Sequence, residues 1–526
     1  MVLRVEHIPE RFNVTTWFLD RNLDIGRGAR TALVGESGHT TYAELAALTN
    51  RVGNVLRECG VQPGNRVLLA LSDGVEFVAT WLATLKIGAV TAEVYTYLPA
   101  RDYTYYLGYT EATVVVVDEV TLDRVRDAMA QSSVRPHLLV LGDVELRPGE
   151  HHFDTLVSQA DDVLDATPTS RDDMAIWKFT TGSTGAPKAC VHPMSSPRLN
   201  FEWYGRGVLG LNEDDLVLPV PKLFFGYPRD LAALYPFAVG GAGIVFPQRT
   251  TPDRVFELVH RHRPTILVNV PTMMSAMVNH PAAADQDLAC LRLCTSAGEA
   301  LPAELHRRWT RTFGVGIVDG IGSSEAYHIY ISHRPGRSRV GSLGQLVPGY
   351  RARIVDGEGN PVPDGQVGVL ELSGATVARG YWGDAERTAR TFSADTVRTG
   401  DLFSRDREGF FRYHGRADDL LKVGGVWVAP SEVEHCLLDH PDVVDCAVVG
   451  RQVEGLTSTH AYVVLRDGAT ASTALAAGLQ AFVRSRLSPH KYPRAVSFVG
   501  ELPRTAAGKL DRRALRERDT EGSEAP

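Results

Sequence analysis

Two alternating periods run through the first two thirds of the chain. Across residues 42–59 the apolar positions Leu45, Leu48, Val52, Val55 and Leu56 fall on one helical face, with polar residues between them. A short apolar run over 66–71, bounded by Gly64 and Asp73, then predicts a buried strand. Residues 76–87 return to the helical period, and 113–118 and 137–141 are strand-like runs rich in Val and Leu. The alternation resumes with strands over 216–218 and 243–246, a helix over 252–263, and strands over 265–268, 291–294 and 315–318. Strands that alternate with helices in this way predict parallel strands joined by crossover helices. No short repeat period is present.

From about residue 340 the pattern shortens. Turn signals crowd together at Asp356-Gly357, Gly359-Asn360-Pro361, Pro363-Asp364-Gly365 and Glu408-Gly409, which predicts a β-rich subdomain built from hairpins. Beyond Gly415 the chain reads as helix (430–439), strand (443–449), strand (460–466), amphipathic helix (472–487) and strand (495–499), enough for a separate α+β unit. The expected fold class is therefore α/β. A large N-terminal domain of parallel-sheet layers spans 1–415 and includes the β-rich part at about 340–415, and a smaller α+β domain spans 416–526, with a polar end at 518–526.

Composition narrows the function. The chain has 526 residues, 22% charged and 44% hydrophobic, the balance of a globular protein. Its net charge of −8, with only a short basic cluster at Arg512, Arg513 and Arg516, argues against a nucleic-acid partner. Neither a leader pattern at Met1–His7 nor an apolar run of bilayer-spanning length occurs, so no membrane partner and a cytoplasmic location are expected. The six cysteines are scattered without zinc-like spacing and read as reduced thiols.

Four stretches carry chemistry. The first is Thr180, Thr181, Gly182, Ser183, Thr184 and Gly185, leading through Ala186 and Pro187 to Lys188. Glycines that admit positive φ bring backbone amides close to an anion, four hydroxyls add donors, and the lysine adds a point charge; a flexible surface loop has the same composition. The spacing is not that of a P-loop. The second is Asp319-Gly320-Ile321-Gly322-Ser323-Ser324-Glu325, directly after the strand predicted at 315–318, where carboxyl-end loops of parallel strands gather ligands; a tight strand-to-helix turn is the alternative. The third pairs Asp401 with Arg416: two acceptor oxygens suited to two vicinal hydroxyls, and a guanidinium suited to charge-assisted bonds, or else a turn and a surface ion pair. The fourth, Leu502 to Leu510, holds Lys509, which as a lone lysine reads as a solvated charge.

Taken together, in this order, the four stretches resemble the AMP-forming acyl- and aryl-CoA synthetases, over about residues 10–516. The resemblance implies roles. The hydroxyl-rich turn with Lys188 holds ATP phosphates. Ser296, Ala297, Gly298 and Glu299 lie along adenine, Asp401 and Arg416 take ribose and phosphate, and Glu325, with a hydroxyl such as Thr184, holds Mg²⁺. Lys509 becomes the adenylation lysine, Asp418 the hinge of a mobile C-terminal domain, and Lys422, Gly424 and Gly425 the side that meets the thiol acceptor. The implied reaction is attack of a carboxylate on the α-phosphorus of ATP with loss of pyrophosphate, then capture of the acyl-adenylate by the thiol of CoA.

The acid-binding segments Phe225-Gly226-Tyr227 and His328-Ile329 resemble the benzoate-CoA ligase branch, and they suit an apolar slot for an aromatic carboxylic acid. Phe224 is expected to be core packing, and His328 to bond either a ring substituent or a backbone carbonyl. Three departures stand out: Ala189 where a glycine is usual, Lys178-Phe179 where an apolar-tyrosine pair is usual, and Val369 in place of a Gly-Glu-Leu string. The first two bear on the choice of acid or acceptor. Two alternatives stay open: an aryl-acid adenylating enzyme that loads the phosphopantetheine of a separate acyl carrier protein or a nitrogen nucleophile, and a non-catalytic ligand-binding relative. A monomer or homodimer is expected.

Overall fold

The computed structural model describes residues 2–180, 186–423, 426–453, 456–466, 468–488, 490–504 and 510–517. The helix Tyr42–Glu58 illustrates why the apolar pattern was readable. Thr41 Oγ1 accepts from the Glu44 N–H at 3.2 Å, and Glu44 Oε2 accepts from the Thr41 N–H at 2.8 Å, a reciprocal cap that starts the helix. Leu45, Val52, Val55 and Leu56 are then all buried.

Two large sheets form the N-terminal part. The first has seven strands in the order Glu150–His152, His137–Val140, Val114–Val117, Arg66–Ala70, Val90–Glu93, Met174–Thr180 and Lys188–Pro193. Its inner strand Val114–Val117 is wholly buried, as expected of a parallel strand covered on both faces. Only the last pair is antiparallel, with Thr180 opposite Lys188. The hydroxyl-rich turn thus joins two antiparallel strands, neither of which stands out as an apolar run in the sequence.

The second sheet has nine strands: Gln345–Leu346, Ile329–Ser332, Ile317–Gly322, Leu293–Ser296, Ile266–Asn269, Leu216–Pro219, Ala242–Ile244, Thr31–Gly35 and Gly38–Thr41. It is parallel inside and antiparallel at both ends. One expectation needs correction here. Asp319, Gly320, Ile321 and Gly322 do not follow a strand; they are its end. The strand runs on because Gly320, Ile321 and Gly322 pair with Ser332, Ile331 and Ile329, a contact that local propensity does not reveal. Ser296 likewise ends the strand Leu293–Ser296.

The β-rich part is a five-stranded antiparallel sheet of Arg351–Val355, Gly368–Ser373, Thr396–Arg405, Phe392–Ser393 and Phe411–Arg416. Val369 sits in this sheet opposite Val355 and Leu402. Arg416 closes the sheet's last strand, opposite Asp401. Downstream, the sheet of Val443–Val453, Leu456–Leu465 and Ala495–Phe498 packs with the helices Pro430–Leu438 and Thr473–Arg484 around Val433, Leu437, Val448, Val463, Leu479 and Val483. Among the described residues no helix is long and apolar enough to cross a membrane.

Gly243, in the strand Ala242–Ile244, shows how tightly the second sheet is covered. A β-carbon there would lie 1.8 Å from the Ala232 carbonyl oxygen of the helix Gly226–Ala233. Gly243→Ala is expected to destabilise the protein by about 1–3 kcal/mol or more, read as a lowered urea midpoint without a change in slope.

Candidate functional site

The carboxyl ends of Met174–Thr180, Leu293–Ser296 and Ile317–Gly322 converge with the β-rich sheet on a cavity of about 900 Å³. Its wall includes Thr180 and Lys188 from the first large sheet, and Gly298 and Glu299 after Leu293–Ser296. Asp319, Gly320, Ile321, Gly322, Ser323, Ser324 and Glu325 follow along the second sheet, and Asp401 and Arg416 face it from the β-rich part. Glu432 and Arg486 of the C-terminal unit complete the rim. Residues separated by more than two hundred positions thus share one space.

Glu325 is the negative centre of this space. Its Oε1 accepts from the Tyr381 hydroxyl at 2.9 Å, and the Tyr381 ring carries the Lys188 ammonium on its face, 3.8 Å from the centroid. Tyr381 therefore joins the lysine of the hydroxyl-rich turn to the glutamate after the strand. Burial lowers the pKa of Lys188, and the charge of Glu325 opposes that shift.

At the other end of the cavity, Arg416 Nη1 lies 3.5 Å from Asp401 Oδ1 and donates to the Thr399 carbonyl at 3.0 Å, while Arg416 Nε donates to Asp418 Oδ1 at 3.0 Å. Burial pushes the Asp401 carboxyl up to about 6, against the attraction of Arg416. Asp319, also buried, is pushed up to about 7. Glu299 Oε2 accepts from the Thr272 N–H at 3.0 Å and the Thr272 hydroxyl at 2.6 Å, and its Oε1 faces Arg504 at 3.6 Å.

The residues expected to line an aryl slot stand behind this cavity. Phe225, Gly226, Tyr227, His328 and Ile329 are absent from its wall, as are the buried Ser296 and Ala297. His328 is buried among the rings of Tyr204, Tyr227 and Tyr235, 5.5–5.8 Å away, and its Nε2 bonds the Tyr227 carbonyl at 3.2 Å. Burial pushes its pKa down to about 3, so the ring is neutral. Tyr227 Oη and Thr295 Oγ1 share a hydrogen bond of 2.6 Å, and Phe224 packs on Tyr95 and Phe225. Lys422 belongs to the short hairpin of Leu421–Val423 and Val426–Val428. Thr181, Gly182, Ser183, Thr184, Gly185, Gly424, Gly425 and Lys509 lie outside the described residues.

Two residues by the site, Tyr381 and His192, carried no readable signal, and a third carried only a partial one. Tyr381 is one aromatic in a turn-rich stretch. His192 is fully buried, and its Nε2 bonds the Ser324 carbonyl at 2.7 Å. Lys178 was readable only as a departure. It is buried, with Nζ 2.7 Å from Asp230 Oδ2; burial draws its pKa down to about 8 while Asp230 opposes the shift. Among the described residues no group of three or more His, Cys, Asp or Glu is placed to hold a metal ion. A divalent cation in this cavity would have Glu325 and bound phosphate oxygens as hard ligands, a donor set that fits Mg²⁺ with its usual waters.

Residues 25–382 match the AMP-binding enzyme family, and residues 432–509 match the AMP-binding enzyme C-terminal domain. The chain belongs to this family. Among AMP-binding relatives, a benzoate–CoA ligase of Thauera aromatica is 41% identical over 97% of this chain and 96% of its own length. A 4-hydroxybenzoate–CoA/benzoate–CoA ligase of Rhodopseudomonas palustris is 36% identical over 98% and 95%. The crystal structure of the anthranilate CoA ligase AuaEII in complex with anthranoyl-AMP superimposes with a TM-score of 0.95 at 34% identity, covering 99% of this chain and 100% of that one. In this AMP-binding enzyme, therefore, the expected α/β architecture with a smaller C-terminal unit is observed.

Tyr381→Phe keeps the ring beneath Lys188 and removes the donor to Glu325. The thermal midpoint is expected to stay within a few degrees, while ATP-dependent turnover falls about 10- to 100-fold, the range for one hydrogen bond to a charged group. Steady-state kinetics alongside a melting curve checks both.

Proposed function

We propose that the protein is an AMP-forming aryl-CoA ligase that activates a benzoate-like acid. The observation that carries this reading is the shared cavity, which gathers Thr180, Lys188, Glu325, Asp401 and Arg416 around a space large enough for a nucleotide. The names of the relatives support the aromatic acid and CoA as substrates.

Each group then has work to do. Lys188 offsets charge on the outer phosphates, and Asp401 accepts from the two ribose hydroxyls while Arg416 keeps that carboxylate in place. Glu325, oriented by Tyr381, would be the protein ligand for Mg²⁺, which when bound would supply charge neutralisation for the phosphates. The acid carboxylate attacks the α-phosphorus, the α–β bridging bond breaks and pyrophosphate leaves. Lys509 is assigned the repulsion between the two anions as they close, an electrostatic contribution of about 3 kcal/mol or more for one well-placed donor. The thiolate of CoA next adds to the acyl carbon and AMP departs. Holding both anions in line provides the proximity that the first step requires. Domain alternation about Asp418 would let Lys422, Gly424 and Gly425 meet the thiol in the second step.

Purified protein is expected to exchange labelled pyrophosphate into ATP only when a benzoate is present, and to form the aryl-CoA detected by mass spectrometry when CoA is added. Exchange without thioester would favour a carrier protein or nitrogen acceptor, and no exchange across a broad acid panel would leave a ligand-binding protein. Lys509→Ala is expected to abolish adenylate formation while still converting supplied aryl-AMP to thioester; equal loss in both half-reactions contradicts the assigned role. The Asp401 carboxyl, with its pKa raised by burial to about 6, accepts hydroxyls best when ionised. Protonation below that pH removes acceptor capacity, so kcat/KM for ATP should fall as pH drops through 6, with a slope of about one. Asp401→Asn should lower the plateau and abolish that limb.

A further inference from the structure

Residues 323–328 connect Ile317–Gly322 to Ile329–Ser332 and carry both Glu325, in the nucleotide cavity, and His328, at the expected aryl slot. Four successive carbonyls of this turn are each held from outside it. The Ser324 oxygen meets His192 Nε2 at 2.7 Å and the Glu325 oxygen accepts from the Ala378 N–H at 2.8 Å. The Ala326 oxygen accepts from Tyr350 Oη at 3.0 Å and Thr376 Oγ1 at 3.1 Å, and the Tyr327 oxygen accepts from Lys178 Nζ at 2.7 Å.

The last of these holds is the charged one, and it falls where the backbone needs it. Tyr327 has φ +79°, a left-handed conformation that a bulky side chain keeps only when its surroundings enforce it. The three donors of the Lys178 ammonium have three partners: the Tyr327 carbonyl, Asp230 Oδ2 at 2.7 Å, and the face of the Tyr327 ring with its centroid 3.5 Å away. Lys178 thus grips both ends of the strained residue. Its own backbone lies two positions before Thr180 in Met174–Thr180, so it ties the strand leading into the hydroxyl-rich turn to the turn that carries Glu325 and His328.

Two further features show that the space is built around this lysine. A β-carbon at Gly226 would lie 2.5 Å from Lys178 Nζ, so a side chain at 226 would displace the ammonium from this position. The charge is also balanced within the core: Asp230 Oδ1 accepts from Arg229 Nη2 at 2.9 Å, and Arg229 Nη1 pairs with Glu93 Oε1 at 2.9 Å. Arg229 and Lys178 hold the Asp230 carboxyl down to about 2 although burial works against its charge.

We propose that Lys178 is a positioning residue for adenylation. By fixing the Tyr327 carbonyl and ring, it sets the position of Glu325, at the phosphate end of the site, relative to the His328 segment expected to border the acid. This rests on the ligase reading above. The register matters because in-line attack tolerates little displacement of the carboxylate from the α-phosphorus. ATP binding draws mainly on Lys188, Asp401 and Arg416, which lie outside this turn, and so depends on that register far less than in-line attack does.

Lys178→Met and the double variant Lys178→Met/Asp230→Asn test this, the second removing both charges of the pair so that no carboxylate is left without its lysine. The expected result is a dissociation constant for ATP within about twofold of the parent in both variants, measured by calorimetry. The kcat of benzoate-dependent pyrophosphate exchange should be at least tenfold lower in both. The double variant is expected to melt close to the parent and still be slow. A double variant that regains parental kcat along with parental stability would show a purely structural ion pair and overturn the proposal, as would ATP affinity lost in proportion to kcat. Should Lys178→Met fail to fold, the double variant decides alone. Parent protein without acid-dependent exchange removes the ligase reading and this inference together, whereas active parent with equally active variants removes only the role of Lys178.

Discussion

Where Ile317–Gly322 turns back and pairs antiparallel with Ile329–Ser332, the parallel order of the second large sheet ends. Backbone hydrogen bonding forces the chain to reverse over a short connection, and that connection carries both Glu325, in the cavity wall, and His328, outside it. A β-carbon at Gly322 would lie 2.6 Å from the His328 carbonyl oxygen, which shows how closely the two limbs approach. Because unpaired buried carbonyls are costly, the turn must find donors elsewhere, and it finds them on His192, Ala378, Tyr350, Thr376 and Lys178. The first large sheet, the β-rich segment and the strand Met174–Thr180 are thereby drawn to one place.

Electrostatics follows from that convergence. Taking Asp319 and Asp401 out of water raises both carboxyl groups, and Arg416 limits the rise at Asp401. Lys188 sits on the face of the Tyr381 ring and feels the charge of Glu325. Deeper in the core, Lys178, Asp230, Arg229 and Glu93 alternate in sign, and each carries a buried charge whose nearest partner has the opposite one. A lysine at a position expected to be apolar is thus accommodated by a nearby aspartate and by a glycine that leaves it room.

The elements that were read from the sequence lie within a few residues of those observed because each announces itself locally. The helix Tyr42–Glu58 has its cap and its apolar face, Val114–Val117 its continuous β-branched run, and the β-rich part its Gly, Pro and Asp turns. Less visible were Met174–Thr180 and Lys188–Pro193, where Lys178 and His192 interrupt the apolar pattern; they are strands because they pair with each other and with Val90–Glu93. The end of Ile317–Gly322 was hidden for the same reason, since its glycines adopt strand geometry only through a partner.

For the site, residue types determined the chemistry on offer: hydroxyls and a lysine as donors to an anion, and aspartate and glutamate carboxylates as acceptors. These are properties of side chains, and the sequence states them directly. Which of them meet was decided only by tertiary structure. Asp401 faces Arg416 through an antiparallel register, Tyr381 reaches Glu325 from a turn, and His328 spends its Nε2 on a backbone carbonyl. Distance between atoms far apart in the chain is a property of the folded core, and no local pattern of residues encodes it.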